Sequence, residues 1–291
     1  MDTSELLKKV RKIEIKTRGL SQNVFAGVYH TAYKGRGVMF SEVREYQPGD
    51  DVRDIDWNVT ARQNKPFVKV YEEDRELTLM LLIDVSGSEK FGTSTGSKRD
   101  MMAEIGATLA YSSIANNDKV GVIFFSDRIE KFIPPKKGKS HILLIIREIL
   151  NLKPTGVKTD INQAIEFLNR AIKKRCTAFL FSDFIDNSDY YKNMSVANKK
   201  HELAAIQVYD ERDTKLPDLG LVRFEDLETG REQWVDTSSA RVRKEYEKAW
   251  YSCRQRVSSI TTRCGVDYIT IRSDEDYVKK LLEMFKRRAV R

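Results

Sequence analysis

A doubly wound α/β fold around a mostly parallel sheet is what this sequence predicts, and three observations predict it. Short, nearly continuous apolar runs recur between residues 77 and 271, too brief for core helices and rich in β-branched and aromatic residues, the pattern of strands buried on both faces. Segments with apolar residues at helical spacing separate them, so strand and helix alternate. Polar residues follow directly after several runs, the place where open α/β sheets gather their functional groups.

The elements follow in order. Leu6, Leu7, Val10 and Ile13 lie at helical spacing, so a short amphipathic helix should open the chain and dock on something. Between residues 28 and 74 the character changes: β-like pieces at 38–40 and 67–71 flank the turn signal Gln47-Pro48-Gly49-Asp50. This predicts a small β-containing N-terminal subdomain over 1–75, followed by the main domain over 76–291. There, strands are expected at 77–83, 119–125, 176–181, 203–209 and 266–271. Helices are expected at 100–115, with Met102, Ile105 and Leu109 facing inward, then at 140–150, 161–172, 195–200, 241–258 and 274–287.

Composition sets the class. The 291 residues are 41% hydrophobic and 32% charged with 15 Gly and 6 Pro, a globular balance that excludes disordered and collagen-like chains. The formal charge of +8 is diffuse. Neither Lys136-Lys137-Gly138-Lys139 nor the basic tail is interleaved with base-stacking aromatics, so no nucleic-acid partner is expected. Cys176, Cys253 and Cys264 match neither a disulfide framework nor a zinc pair, which suits a reducing compartment. The charged N-terminus lacks the apolar centre of a signal peptide, and no stretch approaches the ~18 apolar residues of a membrane span. A cytoplasmic protein is expected.

Chemistry is sought after the buried strands. Asp84-Val85-Ser86-Gly87-Ser88, Thr159-Asp160 and Ser182-Asp183 bring carboxylate and hydroxyl oxygens to one end of the sheet, the hard donors that Mg²⁺ or Mn²⁺ prefers. Alternation in D-x-S-x-S points Asp84, Ser86 and Ser88 the same way, and Gly87 keeps the turn tight. So few carboxylates would leave a divalent cation partly unneutralised and one position open, which an acidic side chain of a protein ligand could fill. No small-molecule substrate is expected.

Asp84, Ser86, Ser88, Thr159 and Asp183 together resemble the metal-ion-dependent adhesion site of von Willebrand factor A domains, with all five positions present. Upstream, Gly35-Arg36-Gly37, Arg44-Glu45-Tyr46, Pro48-Gly49-Asp50-Asp51, Arg53, Ile55-Asp56-Trp57 and Ala61-Arg62 are similar to the signature of the bacterial DUF58 family. Its members are commonly encoded beside MoxR-type AAA+ ATPases and other von Willebrand factor A proteins, so the resemblance implies an adaptor or assembly factor with such partners. Many relatives carry two membrane helices before the signature. None is expected here, which would leave membrane attachment to partners.

Other readings of the same residues stay open. Ser86 and Ser88 could cap a turn, either Thr159 or Asp160 should cap the helix from Ile161, and Asp186 could be the nearer carboxylate in place of Asp183. The acidic cluster Asp50, Asp51, Asp54 and Asp56 reads as an ion-pair network pinning the subdomain to the sheet, with Arg44 and Arg62 as counter-ions. A phosphohydrolase using Asp84 would need D-x-D, and Ser86 occupies the second place. Gly92 to Arg99 fails the phosphate-loop spacing, and His30, His141 and His201 adjoin no serine elbow, so no catalytic residue is expected.

Overall fold

The computed structural model describes residues 8, 10–14, 37–74, 77–87, 92–93, 96–186, 188–225, 230 and 232–289. Contacts group the chain into two units, Lys34–Glu76 and a larger one made of Leu77–Arg291 with the segment Met1–Tyr33.

In the smaller unit, β1 (Gly37–Glu45) and β2 (Phe67–Asp74) pair antiparallel with a register break between Phe40 and Glu42, and α1 (Trp57–Gln63) lies between them in sequence. The turn after β1 forms as its residues dictate: the Asp50 N–H donates to the Gln47 carbonyl at 3.0 Å, and Gly49 takes φ +112°, open to glycine at little cost. The acidic cluster then serves the unit itself. Arg44 grips Asp50 through two bonds of 2.7 and 2.8 Å. Asp51 accepts from the Arg53 N–H, and Asp56 caps α1 by accepting from Asn58 and Val59 at 3.0 and 3.2 Å. Arg44 is thus a counter-ion as expected, whereas the cation beside Asp56 is Lys69, at 3.7 Å, in the place anticipated for Arg62. A lysine one strand away reaches it more directly than a residue at the far end of the helix that Asp56 starts.

The larger unit runs β3 (Thr78–Asp84), the two-residue strands β4 (Gly92–Thr93) and β5 (Gly96–Ser97), α2 (Lys98–Ala115), β6 (Lys119–Phe125), β7 (Ile129–Lys136), α3 (Lys139–Asn151), α4 (Ile161–Ala171), β8 (Thr177–Ser182), α5 (Tyr191–Lys200), β9 (Glu202–Tyr209), α6 (Glu211–Thr214), β10 (Leu221–Glu225), β11 (Glu232–Asp236), α7 (Ala240–Cys264), β12 (Asp267–Arg272) and α8 (Tyr277–Ala289). Its six-stranded sheet has the order β12-β9-β8-β3-β6-β7, parallel throughout except for β7.

Two cores flank this sheet, and β3 shows why. Leu79, Leu81 and Ile83 face a cluster with α2, α3 and α8, while Met80 and Leu82 face one with α4, α5 and α7. All five are fully buried. Period-2 alternation between two apolar layers makes the whole strand read as one apolar run. Truncating a side chain such as Leu81 to Ala would cost on the order of 2–5 kcal/mol. Val10 and Ile13, from the helical turn at 10–14, are buried in the first of these cores; the opening helix docks there.

Several elements of the structure were not expected from the sequence. Strand β7 contains Pro134 and Pro135, which lack the N–H of a ladder and so fit only an edge, where the structure puts them. Gly121 opposite them is obligatory in that pairing, since a Cβ would stand 2.9 Å from Pro135 N and 3.0 Å from the Ile133 carbonyl oxygen. The hairpin β10–β11 and the short α6 carry too little apolar periodicity to be seen in advance.

Candidate metal centre

The strand order fixes where the site lies. After β3 the chain moves outward to β6 and β7, then returns through α3 and α4 to β8 on the other side of β3 and continues outward to β9 and β12. Adjacent β3 and β8 are therefore the switch point of the sheet, where the connections diverge and leave a crevice at the carboxyl ends. Ile83 pairs with Phe181, so Asp84 and Ser182-Asp183 leave the sheet side by side.

Asp84 is fully buried and is the hub of the donor set. Its Oδ2 accepts from the Ser182 hydroxyl at 2.6 Å and the Thr159 hydroxyl at 3.3 Å, and its Oδ1 accepts from the Ser86 N–H at 2.9 Å. Burial, with the nearby charge of Asp183 adding to it, pushes the Asp84 carboxyl up to about 7. This is the mark of a buried anion short of positive charge. Asp183, 2% exposed, accepts from the Ile185 N–H at 3.1 Å and from the Lys98 ammonium at 2.8 Å. Ser86 is buried as well, and its hydroxyl also bonds Asp84. Ser88 lies outside the described residues.

The roles at the two uncertain places separate cleanly. Asp160 is the cap of α4, accepting from the Gln163 N–H at 2.9 Å, and Thr159 turns to Asp84. Asp186 accepts from the Ile161 N–H and from Ser188, so it braces the start of α4, and Asp183 is the carboxylate beside Asp84. The Thr159 loop is held from behind by Glu130. That carboxylate takes the Ser126 hydroxyl at 2.6 Å, the Thr155 N–H and hydroxyl at 3.0 Å each, and the Gly156 N–H at 2.7 Å. These bonds together hold Glu130 below the usual range although burial acts the other way.

Among the described residues no group of three or more His, Cys, Asp or Glu side chains is arranged to hold a metal. The donor set here is of another kind, two carboxylates with hydroxyls around them, which suits a small hard cation that keeps waters of its own. Asp84, Ser86, Thr159 and Asp183 fit such an ion in donor chemistry, and the raised Asp84 carboxyl shows that positive charge would be welcome there.

Residues 42–256 match the family described as protein of unknown function DUF58. The chain belongs to the DUF58 family. An uncharacterized protein of Mycobacterium tuberculosis is 31% identical over 286 residues, which span 97% of this chain and 89% of that protein. In fold, this DUF58 protein is similar to an aerotolerance-related membrane protein of Bacteroides fragilis, at a TM-score of 0.51 and 15% identity over 74% of this chain and 98% of that one. The VWA domain of SpRpn10 is similar at a TM-score of 0.37 and 11% identity, over 71% of this chain and 94% of that one. The DUF58 chain is thus an α/β protein built on a mostly parallel sheet, similar in fold to that Bacteroides protein. Among its described residues no helix is long and apolar enough to cross a membrane.

Sequence reasoning missed three contributors to this DUF58 site: Ser182, Glu130 and Lys98. Ser182 was legible as part of Ser182-Asp183 but was given no role. Glu130 sits on the unanticipated edge strand. Lys98 had a signal of its own, a lysine at the first position of a helix, where the macrodipole disfavours a cation unless an anion waits for it.

Proposed function

We propose that this protein is a non-enzymatic interaction module in which Asp84, Ser86, Ser88, Thr159 and Asp183 hold Mg²⁺, directly or through water, and an Asp or Glu of a protein partner completes the shell. Mn²⁺ would serve equally, since the same oxygen donors suit both ions. The observation that carries this reading is the pair of buried carboxylates at the β3–β8 switch point, with Asp84 ringed by hydroxyls and short of positive charge. The ion, when bound, supplies a positive charge with an open coordination position. The chain's residues fix where that position faces.

The family resemblance extends the proposal to partners: a MoxR-type AAA+ ATPase and other von Willebrand factor A proteins, met in the cytoplasm, with membrane attachment only through them. A Mn²⁺ titration read by electron paramagnetic resonance, with Mg²⁺ as competitor, tests the centre. One Mg²⁺-competable site is expected in the wild type, with binding weakened by Ser86→Ala and lost in Asp84→Ala, each folded by circular dichroism. Undiminished binding in Asp84→Ala would sink the proposal.

A further inference from the structure

Lys98 is 1% exposed, yet it stands at the first position of α2. Desolvation and the helix macrodipole both oppose an ammonium there. Ser97 caps the helix with its own hydroxyl, so α2 does not need the lysine in order to start. The ammonium stands 2.8 Å from Asp183 Oδ2 and 3.4 Å from Asp213 Oδ2, bridging a carboxylate of the candidate metal centre to one on α6. Asp213 is nearly buried too, and it reaches back to accept from the Asp210 N–H at 2.8 Å.

The charges explain why such a bridge is needed. Asp84, Asp183 and Asp213 crowd the carboxyl end of the sheet. Burial and the neighbouring Asp183 raise the Asp213 carboxyl, while Lys98 opposes the rise. A cation held by Asp183 would place two positive charges beside the lysine, and like charges at that range in a dry site repel strongly. The lysine stem is flexible and its ammonium has three donors, so a small swing would keep the Asp213 bond and release Asp183.

We propose that Lys98 is a resident counter-cation of this centre, holding Asp183 while no metal is bound and passing to Asp213 when a divalent cation takes Asp183, so that Lys98 and Asp213 together set the metal affinity. The proposal rests on the reading of Asp84 and Asp183 as metal-binding. It also makes Asp213, at a distance from the Asp84 hydroxyls, a determinant of binding without being a ligand.

Two substitutions with opposite expected signs test it in the full chain, with Mn²⁺ as the probe. Lys98→Met removes the competitor, and Mn²⁺ should bind roughly ten-fold more tightly. Asp213→Asn removes the lysine's second anchor and leaves it on Asp183, so Mn²⁺ should bind roughly ten-fold more weakly. A lysine that merely braces the fold would weaken binding in both variants, which overturns the proposal. Wild-type binding with unchanged affinity in both variants overturns the lysine's role alone, and binding in none of the three chains overturns that role and the metal reading together. Should Lys98→Met fold only when Mn²⁺ is present, its metal-dependent gain in melting temperature, larger than that of the wild type, would support the competition.

Discussion

Cys176 and His201 meet where β8 begins, Asp84 and Asp183 where it ends, and both places bury ionisable side chains almost completely. At the first end the groups go neutral. Cys176 Sγ lies 3.3 Å from His201 Nδ1, with burial pushing the thiol up to about 12 and the imidazole down to about 4. At the other end an ammonium remains against Asp183, and Asp84 is poised near neutrality. Burial expels charge wherever a group lacks an opposite charge to meet, so a buried charge that persists has been given a partner or awaits one. The pair at the start of β8 is a neutral contact, whereas the cluster at its end sets carboxylates against an ammonium.

The largest effect that separates the two ends is their opposite dependence on pH in metal-free protein. Asp84 has a raised folded value, so its contribution to stability is full below 3.8 and is lost as pH rises through about 7. His201 has a lowered one, so its contribution is full above 6.5 and is lost as pH falls through about 4. Between about pH 4 and pH 6.5 the two slopes oppose each other and should largely cancel. Urea unfolding in the presence of a chelator should expose each in turn: Asp84→Asn makes stability climb with pH across that window, and His201→Gln makes it fall, each by up to about 1.4 kcal/mol per pH unit. Identical slopes in the wild type and both variants would break the comparison.

Glu130 offers a smaller effect that sharpens it. Its carboxylate holds the Thr159 loop and the Ser126 hydroxyl, so Glu130→Ala should cost about 1–3 kcal/mol of stability and also weaken Mn²⁺ binding about ten-fold. A loss of stability with Mn²⁺ affinity intact would show that the loop does not position Thr159. The smallest effect belongs to Arg44 and Asp50, a charged pair with water around it. There Arg44→Ala should move the melting midpoint by no more than about 2 °C, since exposed ion pairs contribute little. A large drop would mean that this pair is more than a local brace of its turn.

What the sequence determined by itself is the part of the molecule that each segment decides locally. A strand buried on both faces, such as 77–83, must be apolar at nearly every position, and a helix on the sheet must repeat its apolar residues every three or four positions. The five parallel strands were therefore legible to within a residue at their ends and the longer helices between them in place, although α7 runs on to Cys264 and α5 starts already at Tyr191. The polar residues just beyond β3 and β8 stood out for the same reason, as abrupt ends of apolar runs, and they led to Asp84, Ser86, Thr159 and Asp183. Strands β7, β10 and β11 bury almost none of their residues, so they left no such trace.

Only the tertiary structure decided which of those polar groups meet, because that depends on β3 lying next to β8. Lys98 reaches Asp183 across 85 positions of sequence, Ser182 reaches Asp84 across 98, and Glu130 holds a loop some 25 residues away. Nothing in a local pattern encodes such pairings. The energy of a buried charge depends on what stands within a few ångströms of it in space, and strand order, which the chain sets only once it is folded, determines that neighbour.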